Sequence, residues 1–309
     1  MNPQRSFKGQ TAVLTGAASG FGLECARLAA REGMNVVMVD VQADALHTAW
    51  VEVEALAALH DGRVIAHVVD VSKADPMQAL ADLVQQTFGA PSLVFNNAGV
   101  GSGGLVWENT VKDWEWVLGV NVWGVIHGVR LFTPMMLAAA AADPGFEGHI
   151  VNTASMAGLL SPPNMGVYNV SKHAVVTLSE TLHQDLALVT EQVHAHVLCP
   201  FFVPTGIVAS QRNRPAEMLD ADAQPTRSQL IGKAMSEKAV GSGKVSAADV
   251  AQKVFAALRE NQFYIYSHPK SLASVQARME DVVLGRNPTD PFADKPELGA
   301  QLRAALRAV

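Results

Sequence analysis

The feature that most constrains this chain is a repeated exchange of two hydrophobic periods. Short apolar runs rich in β-branched residues alternate with longer stretches of helical periodicity. "TAVLT" (11–15) precedes a helix near 20–32, "NVVMVD" (35–40) one near 43–60, and "RVIAHVVD" (63–70) one near 75–88. "SLVFNN" (92–97) leads into a long helical stretch near 110–141, and "HIVNTAS" (149–155) into one near 167–190. "HAHVLCP" (194–200) is followed by a helix near 247–260 and a last run, "QFYIYS" (262–267). Runs this short and continuous fit strands buried on both faces, and the helices between them are the crossovers parallel strands need. The pattern predicts an α/β fold of three layers, a doubly wound, seven-stranded parallel sheet with helices on both faces.

A chain of 309 residues, 49% of them hydrophobic, can fill one large core. The expected organisation is a single domain over 1–267 and a C-terminal extension over 268–309 packed on it. Within the domain, the stretch 205–245 is polar, rich in proline and glycine, and too long for an ordinary connection. It reads as a lid over a site or as partly disordered. The net charge of −6 gives no basic footprint for nucleic acid. No polybasic helix points to a membrane surface, and "LFTPMMLAAAAA" is short and proline-broken, so no membrane partner is expected. The opening "MNPQRSFKGQ" has no apolar signal core, which leaves a cytoplasmic protein as the expectation. Cys25 and Cys199 form no paired motif. His194 and His196 would share one strand face, but no third ligand stands at a useful spacing, so no metal is expected.

In a sheet of this kind ligands gather beyond the carboxyl ends of the strands. The first such end reads "TGAASGFG", with Gly16, Gly20 and Gly22 between strand and helix. Glycines there let the backbone approach a pyrophosphate, which the helix N-terminus favours electrostatically. Asp40 ends the second strand, placed to accept hydrogen bonds from an adenosine ribose, although an aspartate there can also serve as a turn or helix cap. A 2′-phosphate about 4 Å from that carboxylate would be repelled by about 1 kcal/mol in water and about 4 kcal/mol at an effective dielectric of 20. Ser19 and Val41 supply no compensating cation, so NAD is expected over NADP. Further on, Tyr168 and Lys172 lie four apart in a helical run and therefore side by side. Such a pair can simply cover the edge of a core, or it can do chemistry.

Taken together, these motifs resemble the short-chain dehydrogenases/reductases, in their compact single-domain branch, from about Lys8 to Ser267. The resemblance implies a Rossmann fold. It rests on the glycine spacing, "NNAG" at 96–99, "DVS" at 70–72, "NVWG" at 121–124, and Ser155 standing thirteen residues before Tyr168. By resemblance, Asn121, Ser155, Tyr168 and Lys172 are the catalytic set. Gly16, Ser19, Gly20, Phe21, Gly22, Asp40, Asp70, Val71, Asn97, Ala98 and Gly99 hold the cofactor, with Tyr168, Lys172, Pro200, Val203 and Thr205 at its nicotinamide end. Lys172 is assigned the ribose hydroxyls as well as tuning of Tyr168, and the main chain of Asn121 a water that links Lys172 to solvent. One departure is visible: the family's Pro-Gly after the sixth strand reads "CPFFVPT" here, with Phe201 in place of glycine. A homodimer or homotetramer is also implied, through the helices near 110–135 and 167–190.

The chemistry fits the residue types. Hydride transfer at a carbinol carbon needs a partner proton transfer at oxygen, which a tyrosine hydroxyl can perform if its pKa, near 10, is lowered. A lysine beside it favours the phenolate. Ser155 would orient the substrate oxygen. Ser155, Met156, Tyr168 and Phe201 are the expected substrate contacts, and Leu159, Leu160, Met165, Phe202 and Val100 the flanking wall. These mostly apolar surroundings suit a hydrophobic secondary alcohol or its ketone. The alternatives are an NADPH-dependent carbonyl reductase and a non-catalytic NAD-binding redox sensor.

Overall fold

The computed structural model describes residues 6–219 and 224–307. The expected domain, its lid and the extension each include a few residues outside those ranges. Seven strands form one sheet: β1 (Thr11–Thr15), β2 (Asn35–Asp40), β3 (Val64–Val68), β4 (Leu93–Asn96), β5 (Gly148–Thr153), β6 (Val193–Cys199) and β7 (Tyr264–Tyr266). Their order is β3-β2-β1-β4-β5-β6-β7, and every pairing is parallel. The chain winds outward from β1 in one direction and then from β4 in the other. A crevice therefore opens above the neighbouring ends of these two strands.

The alternation of side chains along each strand divides the core into two layers. Ala12 and Leu14 of β1, Val36 and Met38 of β2, and Leu93 and Phe95 of β4 pack on one face. They meet α1 (Gly20–Arg31), α2 (Ala43–Ala58) and α8 (Ala247–Glu260) there. Val13, Val37, Val39 and Val94 point the other way. Their partners are α3 (Ala74–Phe88), α5 (Gly124–Ala142) and α6 (Gly166–Val189). This burial on both sides is why the strand sequences are apolar without alternation.

Two segments take a form that the periodicity of the sequence does not specify. The helix expected near 110–141 is α4 (Val111–Leu118), a π-helical turn at Gly119–Trp123, and then α5. Together these 32 residues are long and apolar enough to cross a membrane. In the fold, Leu131, Phe132 and Met136 of α5 instead belong to the core beneath the sheet. The segment expected as a lid holds, over its described residues, 3-10 turns at Gly206–Asn213 and Ala216–Met218 and a full helix, α7 (Arg227–Gly241). Thr226 and Gln229 close the start of α7 with a capping box. The extension forms α9 (Leu272–Val283) and α10 (Pro296–Arg307).

Candidate active site

The crevice above β1 and β4 begins at the glycine loop. Gly16 follows β1 with φ +68°, a left-handed conformation that glycine adopts without steric penalty. A Cβ on Gly22 would run into the carbonyl of Gly16, so Gly22 lets α1 pack tightly on the loop and does not itself line the cleft. The entry to α1 is left open to an anion: its N-cap, Ser19, makes no side-chain capping bond, and its first turn holds no acid. Helices α4, α7 and α8 by contrast all close their starts with capping boxes. Gly16, Ser19, Gly20 and Phe21 all line the cleft. Asp40, buried at the end of β2, accepts the Ala18 N–H at 3.1 Å and the Gln42 N–H at 3.0 Å. Its carboxylate thus fixes the glycine loop as well as facing the cleft. Asp70, Val71, Asn97, Ala98 and Gly99 continue the lining.

Hydrogen bonds tie together the strand ends beneath this surface. Asn97 donates to Thr15 O at 3.0 Å, and Thr153 Oγ1 donates to Asn97 Oδ1 at 3.2 Å. Lys172 Nζ in turn donates to Thr153 O at 2.8 Å. Asn96, the residue before Asn97, points down into the fold and donates to Asn152 Oδ1 at 2.9 Å, so only Asn97 of the pair lines the cleft. Asn121 sits in the π-helical turn, a distortion often found at functional positions. Its side chain accepts from Val100 N at 2.8 Å and donates to Val100 O at 3.0 Å and Ser171 Oγ at 3.1 Å. It therefore locks the loop after β4 against α6.

Tyr168 and Lys172 both project from α6 into the end of the cleft, with Lys172 Nζ 5.7 Å from the Tyr168 ring centre. The Ser155 hydroxyl stands near enough to the Tyr168 phenol to lower its pKa. Ser155 Oγ accepts from Ala157 N at 3.1 Å and donates to Pro200 O at 3.4 Å, which holds it at the start of the turn after β5. Burial pushes that phenol up to about 12, and the influence of Ser155 offsets only part of the rise. Burial also brings Lys172, 2% exposed, down to about 8. In the protein alone, desolvation therefore outweighs the expected lowering of the tyrosine by its lysine neighbour.

The expected substrate wall is only partly at the cleft. Met156 and Leu159 are buried in a core cluster with Val175 and Val197, and neither lines the opening. Leu160, Met165, Phe201 and Phe202 do not line it either, and Val203 is packed in the core. Pro200 and Thr205 do line it. Of the expected wall Val100 does line the cleft, and the other apolar lining includes Trp116, Val120, Ile207 and Met218. Trp116 comes from α4, while Ile207 and Met218 come from the lid. The sequence marks the lid's length, but not which of its side chains turn inward. Phe201 has no positive φ, so the glycine it replaces is not needed for backbone reasons. Its N–H donates to Ser267 Oγ at 2.9 Å. His194 and His196 lie beside His149, whose Nδ1 is 3.0 Å from His196 Nε2. Among the described residues no cluster of three potential ligands could hold a metal ion.

An open helix start, a glycine cradle and a carboxylate at the end of β2 suit a dinucleotide. The family model for short chain dehydrogenases matches residues 10–216. The chain belongs to the short-chain dehydrogenase family. A short chain dehydrogenase/reductase from Burkholderia phymatum, solved in complex with NAD, is 50% identical, with a TM-score of 0.88 over 94% of this chain and 99% of that one. A CLA biosynthesis dehydrogenase/reductase of Lactiplantibacillus plantarum is 31% identical over 90% of this chain and 95% of its own length. The 1-deoxy-11-beta-hydroxypentalenate dehydrogenase of Streptomyces exfoliatus is 32% identical, covering 88% of each chain. The chain is accordingly an oxidoreductase with a Rossmann fold.

Proposed function

We propose that this short-chain dehydrogenase interconverts an apolar secondary alcohol and its ketone with NAD(H), using Tyr168 as the acid or base. The observation that carries the reading is that Tyr168 and Lys172 line the same cleft as the glycine loop and Asp40, with Ser155 next to Tyr168 behind that lining. When bound, the nicotinamide accepts or supplies the hydride. In ketone reduction the neutral Tyr168 hydroxyl gives its proton to the carbonyl oxygen, and burial keeps it neutral and ready for that role. In alcohol oxidation the phenolate takes the hydroxyl proton as the hydride leaves the carbinol carbon. Ser155 orients the substrate oxygen, and Lys172 holds the nicotinamide ribose and favours the phenolate. The main chain at Asn121 supports proton exchange between Lys172 and solvent.

Asp40 supports NAD over NADP through its charge, as does the relative solved with NAD. The apolar lining contributed by Val100, Trp116, Ile207 and Met218 supports a hydrophobic substrate. The hydroxyl named in the Streptomyces relative's substrate agrees with an alcohol as donor. The enzyme acts in the cytoplasm as a homodimer or homotetramer. The test is a panel of hydrophobic secondary alcohols and ketones, followed by nicotinamide absorbance with NAD(H) and with NADP(H). Turnover with NAD is expected. NAD binding without turnover of any member would leave a redox sensor as the better reading, and tighter NADP binding would overturn the cofactor preference.

A further inference from the structure

Two arginines stand two residues apart in the lid, and their surroundings differ. Arg214 is engaged internally: it donates to Asp113 Oδ1 at 2.6 Å and to Met218 O at 2.9 Å, and lies 5.3 Å over the Trp116 ring. Its charge is matched by that of Asp113, and it pins the lid to α4. Arg212 is exposed and lines the cleft. Its Nε donates to Gln42 Oε1 at 2.9 Å and its Nη1 donates to Gly206 O at 3.0 Å. Both partners are neutral oxygens. Among the described residues no carboxylate forms an ion pair with it.

The position of this cation is set from both sides of the cleft. Gln42 is fixed at the end of β2, where its N–H donates to Asp40 Oδ1. Gly206 follows Thr205, and Thr205 lies over the start of α1, since a Cβ on Gly20 would stand 3.4 Å from its side chain. Arg212 thus bridges the rim from the β2 end to the first turn of α1, across the span between the glycine loop and Asp40. The other cations of the lining are Lys73 and Lys172. Lys172 is committed to the Tyr168 end, and Lys73 follows Asp70 beyond β3. An anion held at the open start of α1 would therefore find its nearest lid-borne counter-charge in Arg212.

We propose that Arg212 is a cofactor-binding residue delivered by the lid, its guanidinium serving the diphosphate of the bound dinucleotide. The proposal rests on the reading of the cleft as a dinucleotide site. A planar guanidinium suits phosphate oxygens, and it exchanges the neutral oxygens of Gln42 and Gly206 for charged ones. The same segment carries Ile207 to the substrate wall, so filling the adenosine half of the cleft steadies the wall of the substrate half.

The test is calorimetric titration of the wild type and of Arg212→Ala, Arg212→Lys and Lys233→Ala with NAD, NADP, ADP-ribose and adenosine. Lys233 lies on the lid's outer surface beside Glu237 and controls for the loss of a distant charge. Arg212→Ala should weaken NAD and ADP-ribose alike by about tenfold, the size of one charge-assisted contact, and leave adenosine unchanged. Arg212→Lys should recover part of the loss, Lys233→Ala should show none, and added salt should shrink the difference. Undiminished ADP-ribose binding by Arg212→Ala overturns the proposal and leaves the cofactor reading intact. A loss confined to NADP assigns the cation to a 2′-phosphate and also overturns it, as does an equal loss in Lys233→Ala. A wild type that binds neither NAD nor ADP-ribose removes the cofactor reading itself, and the proposal with it.

Discussion

Tyr168 and Lys172 show how burial, and not only a neighbouring charge, sets the chemistry of a helical pair. With its phenol up at about 12, Tyr168 stays protonated across the neutral range, which favours it as the acid of ketone reduction. Tyr168→Phe keeps the ring and deletes the proton. Turnover should fall by about 10²–10⁴-fold while the NAD dissociation constant stays within about twofold, measured by steady-state assay and titration. Unimpaired turnover would remove Tyr168 from the mechanism. The lysine makes a separate prediction about stability. Its folded value is depressed from 10.5 to about 8, so between those values the unfolded chain binds a proton that the folded chain lacks. Stability contributed by Lys172 therefore rises with pH through that window and is lost as pH falls toward 8, by at most about 3 kcal/mol. Urea unfolding of the cofactor-free protein at pH 8 and pH 9.5 should show wild type gaining on Lys172→Met. Parallel pH dependence of the two proteins would contradict the burial of a titrating lysine.

Between strands and lid, the chain differs in how plainly it declares its structure. Strands such as "NVVMVD" are legible because two core layers demand apolar residues on both sides, and their bounds coincide with β2. Ser155, Tyr168 and Lys172 are legible because their spacing follows from a single helix and the turn before it. The interruption between α4 and α5 is not, since the π turn follows from a tertiary contact, the bonding of Asn121 to Val100. Helix α7 does carry a local signal, Thr226 followed by Gln229 three residues later, but no strong apolar stripe accompanies it. Its docking depends on Ser228, which accepts from Leu105 N at 2.9 Å and donates to Glu108 Oε2 at 2.5 Å. That hydroxyl links the lid to the loop after β4, and the bond contributes to holding the Glu108 carboxyl below its ordinary range. Ser228→Ala would strip the Leu105 N–H of its partner at a cost of about 1–3 kcal/mol, concentrated in the lid. Trypsin should then cut within 205–245 about tenfold faster than in wild type, with the global unfolding midpoint little changed. Equal cleavage rates would show that other contacts hold the lid.

The outer layer of the fold carries apolar side chains that its own core does not use. Trp123 is 53% exposed in the π turn, Val170 is 48% exposed on α6, and Val111 is more exposed still at the start of α4. These elements pack against one another, so their outer faces lie on the same side of the sheet. Single exposed apolar residues are ordinary on a monomer, but a large tryptophan and two valines on adjoining helices gain most from being covered. A second copy of the chain is the occupant we propose, through the faces of α4, the π turn and α6. Such a symmetric contact would place each protomer's α6, and with it Tyr168 and Lys172, on a helix braced from outside as well as from the core. Trp123→Glu would bury a charge in that interface while leaving the monomer's core intact. Light scattering after size exclusion should give a dimer or tetramer for the wild type and a smaller species for Trp123→Glu. The smaller species should also lose turnover if bracing of α6 matters to the site. A wild-type monomer, or a variant of unchanged mass, would reject this face as the contact.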